Sequence, residues 1–140
     1  IERSTSVMDI IEATAVIDAN VNDLLIRSLF FNKSPLHDGA VVVSGDKIIA
    51  AGCFLPLSHR DDIVKDLGTR HRAALGISEN SDALVIVVSE ETGLISTALE
   101  GRLKRGYDYA SLKNELNRVL IHSLADDTSK NRSKRSLKNK

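Results

Sequence analysis

Two short runs carry residue types that can do chemistry together: Leu36-His37-Asp38-Gly39-Ala40 and Gly68-Thr69-Arg70-His71-Arg72. In the first, an imidazole and a carboxylate stand directly before the apolar, β-branched stretch Gly39 to Val43. A strand there puts His37 and Asp38 at the mouth of a sheet edge. The pair can hold a divalent cation, or Asp38 can accept a proton from a hydroxyl. Two plainer readings stand beside that chemistry: Asp38 as a turn cap and His37 as a neutral surface ring. Gly39 either lets the backbone approach a ligand closely or simply eases the turn into the strand.

The second run reads as an anion site. Thr69 can cap a helix that starts there, leaving the first helical amides facing outward toward an anion. Arg70 and Arg72 flank His71, and arginine forks match phosphate oxygens in geometry. The two arginines point in different directions on a helix, so they need not serve one phosphate. One can instead hold a neighbouring loop or a partner chain. The competing reading is ion pairing with surface carboxylates such as Asp61, Asp62 or Asp66. A third polar run, Ser89-Glu90-Glu91-Thr92-Gly93, follows the apolar stretch Ala83 to Val88. There a glutamate can reach a metal and Ser89 a phosphate oxygen, although an ordinary turn closed by Gly93 explains the same residues. Cys53, between Gly52 and Phe54, reads as a small core residue and not a nucleophile. His59 falls in a polar loop, and His122 in the late turns of a last helix, where it suits the helix dipole.

The elements that must position these groups follow from periodicity. Glu12 to Ile17 reads as a short strand. Asn20 reads as a helix cap with Asp23 three residues on, and Val21, Leu24, Leu25, Ser28 and Leu29 give one face of a helix ending near Phe31. Asn32 to Pro35 is a turn, because Pro35 disfavours helix at Ser34. Gly39 to Val43 suits a strand buried on both faces, and Lys47 to Leu55 a second. The short Ser44-Gly45-Asp46 connection forces that pair into an antiparallel hairpin. Pro56 to Leu67 is polar and irregular. Thr69 to Ile77 reads as a helix with Arg70, Ala73, Ala74 and Ile77 on one face. Strands are expected at Ala83 to Val88 and near Leu94 to Ala98, with a turn at Gly101. From Tyr109, the pattern Leu112, Leu116, Val119, Leu120 and Leu124 gives an amphipathic last helix. The fold class is therefore α/β (α+β-like): a central mixed, largely antiparallel sheet flanked by helices. The hairpin and the lack of a G-x-G-x-x-G turn argue against a parallel doubly wound sheet.

Composition bounds what such a fold can serve. The 140 residues suit one domain, and 42% hydrophobic with 27% charged residues reads as a soluble globular chain. Few aromatics leave aliphatic side chains to fill the core. A single cysteine excludes an internal disulfide framework and a multi-cysteine metal site. No apolar run approaches the ~20 residues needed to span a bilayer. The opening Ile-Glu-Arg-Ser lacks an initiator Met, so upstream sequence, and any membrane anchor in it, is expected to lie outside this chain. Six of the 19 basic residues crowd into Thr128 to Lys140 without an acid, leaving 13 basic against 19 acidic residues before them, a formal −6. A body of that sign is not expected to bind nucleic acid. The tail, 126–140, reads as a basic disordered terminus, with contact to RNA or an anionic membrane as the alternative.

The motifs together resemble the diadenylate cyclase catalytic domain. Its two hallmark runs, Asp-Gly-Ala and Arg-His-Arg, stand here as Asp38-Gly39-Ala40 and Arg70-His71-Arg72. The surrounding text matches at Pro35-Leu36-His37, Cys53-Phe54-Leu55-Pro56-Leu57-Ser58, Leu67-Gly68-Thr69 and Val88-Ser89-Glu90-Glu91-Thr92-Gly93. The resemblance runs from about Ile1 to Leu120 and is strongest to the membrane-anchored branch. It implies a catalytic domain over 1–125 that lacks the family's first helix and part of its first strand. It implies that two such domains meet face to face as a homodimer, each holding one ATP, and that each 3′-hydroxyl attacks the partner's α-phosphorus to give cyclic di-AMP and two pyrophosphates. The domain would act on the cytoplasmic side of a bacterial membrane, with Mn²⁺ or Mg²⁺, or Co²⁺, as cofactor. By the same resemblance Asp38, Arg70, His71 and Arg72 are catalytic, and His37 and Asp38 hold the metal. Gly39, Leu57, Gly68, Thr69, Arg70, Ser89 and Glu91 bind ATP. Two other readings compete: a non-catalytic module that senses ATP or cyclic di-AMP, and an interaction domain with an RNA-seeking tail.

Overall fold

Strict alternation of half-buried and exposed side chains over nine residues makes Glu12–Asn20 a strand with one covered face, β1. A computed structural model of the chain describes residues 1–63, 65 and 67–121. After β1 come α1 (Asp23–Leu29), β2 (Ala40–Ser44), β3 (Lys47–Phe54), α2 (Thr69–Glu79), β4 (Val85–Val88), β5 (Ile95–Leu99) and β6 (Arg102–Tyr107). Residues 109–121 form a further helix, α3. The chain divides into two compact units, residues 1–105 and 106–140. The α/β class and the antiparallel pairing are as expected. The strands form two three-stranded sheets, ordered β1-β3-β2 and β4-β5-β6.

In the first sheet β3 is the central strand, antiparallel to both neighbours, with Ala40 and Ala13 each opposite Cys53. Ile48, Ala50, Ala51 and Cys53 are almost wholly enclosed, as a strand covered on both faces requires. Cys53 is thus the core residue its neighbours suggest, and burial pushes its thiol pKa up. Gly45 takes φ +60 at the first central position of the two-residue β2–β3 turn, as a type II′ hairpin demands. β2 is less enclosed than a strand buried on both faces: only Val42 is fully buried. It is an edge strand, so solvent reaches one side.

Three apolar clusters tie these elements together. Val42, Ala50 and Cys53 pack with Ile77 of α2. Ala74 and Leu75 of α2 pack with Val87 and Ala98 of β4 and β5 and with Ile63 and Leu67. Leu29 of α1 packs with Ile48 and Ala51, alongside Leu36. α2 therefore contributes to two cores at once. Its buried positions His71, Ala74, Leu75 and Ser78 recur at helical spacing. Of the expected face, Ala74 and Ile77 are buried, but Arg70 is exposed and Ala73 only half-buried, so the enclosed stripe is rotated toward His71.

Two expected caps also move. Asn20 ends β1, and Asn22 caps α1 by accepting from the Leu25 amide at 2.9 Å. A bond from the Val21 amide to the Asp46 carbonyl, 2.8 Å, keeps the chain extended past Asn20. At α2 the cap is Gly68, with extended backbone and no side-chain hydrogen bond, and Thr69 is the first helical residue. β6 was not anticipated; a two-residue turn with φ +50 at Glu100 and +73 at Gly101 makes it the hairpin partner of β5. In the second unit, Asp108 caps α3 by accepting from the Ser111 amide at 2.8 Å, and the Ser111 bonds hold its carboxyl below the usual range. Leu112, Leu116, Val119 and Leu120 are the less exposed apolar positions of α3. Leu124, His122 and the basic tail lie outside the described residues.

Candidate active site

The first run sits where the 31–38 turn feeds β2. Gly39 has φ +120, and a Cβ there would meet the backbone of Gly52 and Cys53 at 2.8 and 3.0 Å. The close approach that Gly39 permits is to β3 itself, so the fold alone demands a glycine. Gly52 is fixed in turn, with φ +61 and a carbonyl that accepts from the Thr14 hydroxyl at 2.9 Å. This interlock sets Asp38 at the rim, exposed, with His37 half-buried beside it.

The His37 ring is oriented. Its Nδ1 lies 2.7 Å from the Ser34 carbonyl oxygen. A carbonyl only accepts, so Nδ1 is the donor, and in the neutral form of the ring the lone pair is on Nε2. That is the usual preparation of a metal-binding imidazole. Among the described residues no three His, Cys, Asp or Glu side chains cluster into a complete cage. Were a divalent cation held at this corner, His37 Nε2 and the Asp38 carboxylate would be its donors. A hard cation held by one or two protein groups and completed by phosphate oxygens and water fits that set.

β3 leads from this corner to α2. Its last residue, Phe54, and then Leu57 are exposed apolar side chains. The segment 56–58 lies directly on α2: a Cβ at Gly76 would fall 1.9 Å from the Pro56 carbonyl oxygen. The Ser58 amide donates to the Arg72 carbonyl at 2.9 Å, and the Ser58 hydroxyl to Glu79 at 2.6 Å. Leu57 is thus held by a segment whose backbone lies on Gly76 and bonds to Arg72 of α2. Arg60 fastens the next stretch, donating to both Asp62 oxygens at 2.9 and 2.6 Å and to the Gly101 carbonyl at 2.6 Å. Sequence reasoning missed this clamp; its far partner is a backbone carbonyl that no side-chain pattern reveals.

The start of α2 carries no side-chain cap and no acid in its first turn, so its leading amides and dipole are open to an anion. Gly68 has open space where a Cβ would stand. Nothing in the fold requires a glycine there, unlike Gly39 and Gly76. Arg70 reaches the loop after β4, with Nη2 2.6 Å from Glu90 Oε1. The expected surface partners differ: Asp62 pairs with Arg60, and Asp66 lies outside the described residues. That contact joins the second and third runs. The 89–94 loop is fastened by its own bonds, Gly93 amide to Ser89 carbonyl at 2.9 Å and Thr92 amide to Ser89 hydroxyl oxygen at 3.3 Å. The Ser89 hydroxyl proton remains able to point elsewhere. Glu91 is exposed beside it.

His71 turns inward. It is 5% exposed, and its Nε2 finds no partner. Burial, then the Arg105 charge, pushes its pKa below the ordinary histidine value. A ring enclosed in this way and held toward its neutral form lies on the packed side of α2. Arg72 is half-buried, and its backbone holds Ser58.

A two-sheet, largely antiparallel α/β domain with these rims is a fold met before. It is similar to the crystal structure of DacA from Staphylococcus aureus, a double mutant, at a TM-score of 0.81 and 44% identity over 85% of this chain and 79% of that one. A Bacillus cereus structure described as a hypothetical membrane spanning protein matches at 0.74 and 44% identity, over 76% of this chain and 52% of that one. The chain belongs to the DisA bacterial checkpoint controller nucleotide-binding family, whose model matches residues 1–103. It is 47% identical to the cyclic di-AMP synthase CdaA of Bacillus subtilis over 94% of this chain and 48% of that protein. It is 43% identical to a diadenylate cyclase of Listeria monocytogenes over 93% of this chain and 46% of that protein. The chain thus spans about half the length of the curated relatives it matches. No helix among the described residues is long and apolar enough to cross a membrane.

Proposed function

We propose that this chain is the catalytic half-site of a diadenylate cyclase, joining two ATP molecules into cyclic di-AMP. The observation that carries the reading is the run of contacts from Gly39, next to Asp38, to Glu90. Gly39 is seated on β3, the segment after β3 is seated on α2, and Arg70 at the head of α2 meets the 89–94 loop. A rim of that kind suits a nucleotide lying from an acidic end to a basic end. The names of the relatives supply the substrate and the product.

In this reading Gly68, Thr69 and Arg70 receive the phosphates, through backbone amides and one guanidinium, and Ser89 donates its hydroxyl proton to a phosphate oxygen. Leu57 packs against adenine. Asp38 accepts the proton of the 3′-hydroxyl or orients it, and the oxygen attacks the α-phosphorus of the facing ATP. One P–O ester bond forms and the bond to pyrophosphate breaks; the facing ATP's 3′-hydroxyl then attacks the first ATP's α-phosphorus in the same way, closing the ring and releasing the second pyrophosphate. His37 and Asp38 would hold a Mn²⁺, Mg²⁺ or Co²⁺ ion, with Glu91 near it or reaching across the dimer. When bound, that ion neutralises developing phosphate charge and lowers the pKa of the attacking hydroxyl. His71 and Arg72 act by fixing α2 and the 56–58 segment. Each rim holds one ATP, and its 3′-hydroxyl meets the α-phosphorus of the ATP on a facing rim, so a face-to-face homodimer is needed and a lone chain binds ATP without cyclising it. The domain works in the bacterial cytoplasm, held near the membrane through sequence outside this chain. The test is incubation of the chain with ATP and Mn²⁺ and chromatography of the products. Cyclic di-AMP should form, and Asp38→Asn should lower its rate by about 10²-fold or more with unchanged thermal stability. Full turnover by that variant would remove Asp38 from the chemistry.

A further inference from the structure

We infer that Glu90 is a resident competitor for the phosphate-binding arginine. It occupies Arg70 before a nucleotide arrives, yields to the triphosphate, and takes Arg70 back as pyrophosphate leaves. The inference rests on the assignment of Arg70 to the phosphates made above. Its basis is the 2.6 Å contact between Arg70 Nη2 and Glu90 Oε1. A carboxylate oxygen there takes a guanidinium N–H that a phosphate oxygen would otherwise accept, since both are anionic acceptors for an arginine fork. The alternative role for the same contact is a brace that orients Arg70 toward the ligand.

Two features favour competition. The pair is exposed, with the Glu90 side chain at 68% and the Arg70 side chain at 41%. A contact that weak and that wet breaks readily and fixes orientation poorly. The backbone that carries Glu90 is, by contrast, fastened at Ser89, Thr92, Gly93 and Leu94. Exchange then needs only a side-chain rotation, with no melting of the loop, and stays fast relative to product release. A carboxylate that returns to Arg70 also lowers the barrier for an anion to leave. The uncapped first turn of α2 adds favourable potential for either acceptor and does not discriminate between them.

The test compares the unaltered chain with Glu90→Gln and Glu90→Ala at fixed ionic strength. The probes are α,β-methylene-ATP, which cannot be cyclised, inorganic tripolyphosphate and adenosine. Both variants should bind α,β-methylene-ATP and tripolyphosphate about two- to fivefold more tightly, with adenosine unchanged. Glu90→Asp should return affinity toward that of the unaltered chain. Weaker or equal binding of the two anions would overturn the inference and, for weaker binding, assign Glu90 as a brace. Failure of the nucleotide assignment looks different. The variants would still tighten on tripolyphosphate, but α,β-methylene-ATP would bind no better than tripolyphosphate does.

Discussion

Gly76→Ala isolates the contact that joins the two halves of the candidate site. By helix propensity alone the substitution should stabilise α2 by about 1 kcal/mol, because alanine loses less backbone freedom. The structure opposes this. The new methyl would stand 1.9 Å from the Pro56 carbonyl oxygen, and real Cβ atoms essentially never come within 3.0 Å of another atom. The 56–58 segment and α2 must therefore separate by about 1.1 Å, the difference between those two distances. Both neighbours are backbone, so no rotamer change relieves the clash. Overpacking of this kind costs about 1–3 kcal/mol, and loss of the Ser58 amide to Arg72 carbonyl bond about 1 more. After the propensity gain, a net loss of about 2 kcal/mol remains, which lowers the melting temperature by about 5–10 °C. Circular dichroism melts and urea titration measure it directly. Nucleotide affinity should fall as well, because the 56–58 segment that carries Leu57 shifts on α2. A melting temperature equal to or above that of the unaltered chain would refute the contact and the positioning it explains.

Gly68→Ala gives the opposite profile. With open space at its Cβ position, it should cost no more than about 1 kcal/mol, that of a poorer helix cap, while weakening α,β-methylene-ATP binding in an equilibrium titration. The pH dependence of folding should carry the His71 signature. Its pKa is lower in the folded chain than the ordinary 6.5, so the unfolded chain takes up the proton first as pH falls. Stability from His71 is complete above about pH 6.5 and declines below it, down to the folded pKa. His71→Gln should flatten the difference in urea midpoint between pH 7 and pH 5.5, and an unchanged slope would show that the ring is not held neutral.

Much of this architecture could be read from residue order, and the exceptions have physical causes. The hairpin of β2 and β3 follows from a glycine at a two-residue turn between apolar runs, and the end of that turn is where the structure places it. The strand β6 escaped notice because Arg-Leu-Lys-Arg-Gly-Tyr has no clean alternation, and its burial pattern shows only two less exposed positions. Gly101, read as a turn, was the available signal, since a tight turn after one strand implies another. The caps at Asn20 and Thr69 failed by one or two residues. In the first case a bond from Val21 to Asp46, in the second an extended Gly68, decided the boundary, and both lie in tertiary or backbone detail. The three chemical runs were visible as residue types. Their connection was not: Arg70 meets Glu90 and Arg60 meets Gly101 across folds of the chain that spacing does not report. A histidine between two arginines reads as part of a charged site, yet it faces the interior.

The central claim is that one chain holds half of a reaction. Initial rates of cyclic di-AMP formation, measured with saturating ATP and Mn²⁺ over a wide range of chain concentration, test it most directly. Below the dimer dissociation constant the rate should rise with the square of chain concentration, then become linear above it. A rate proportional to concentration throughout, with the chain monomeric by light scattering, would contradict the half-site. So would absence of cyclic di-AMP when ATP is bound and the dimer is present.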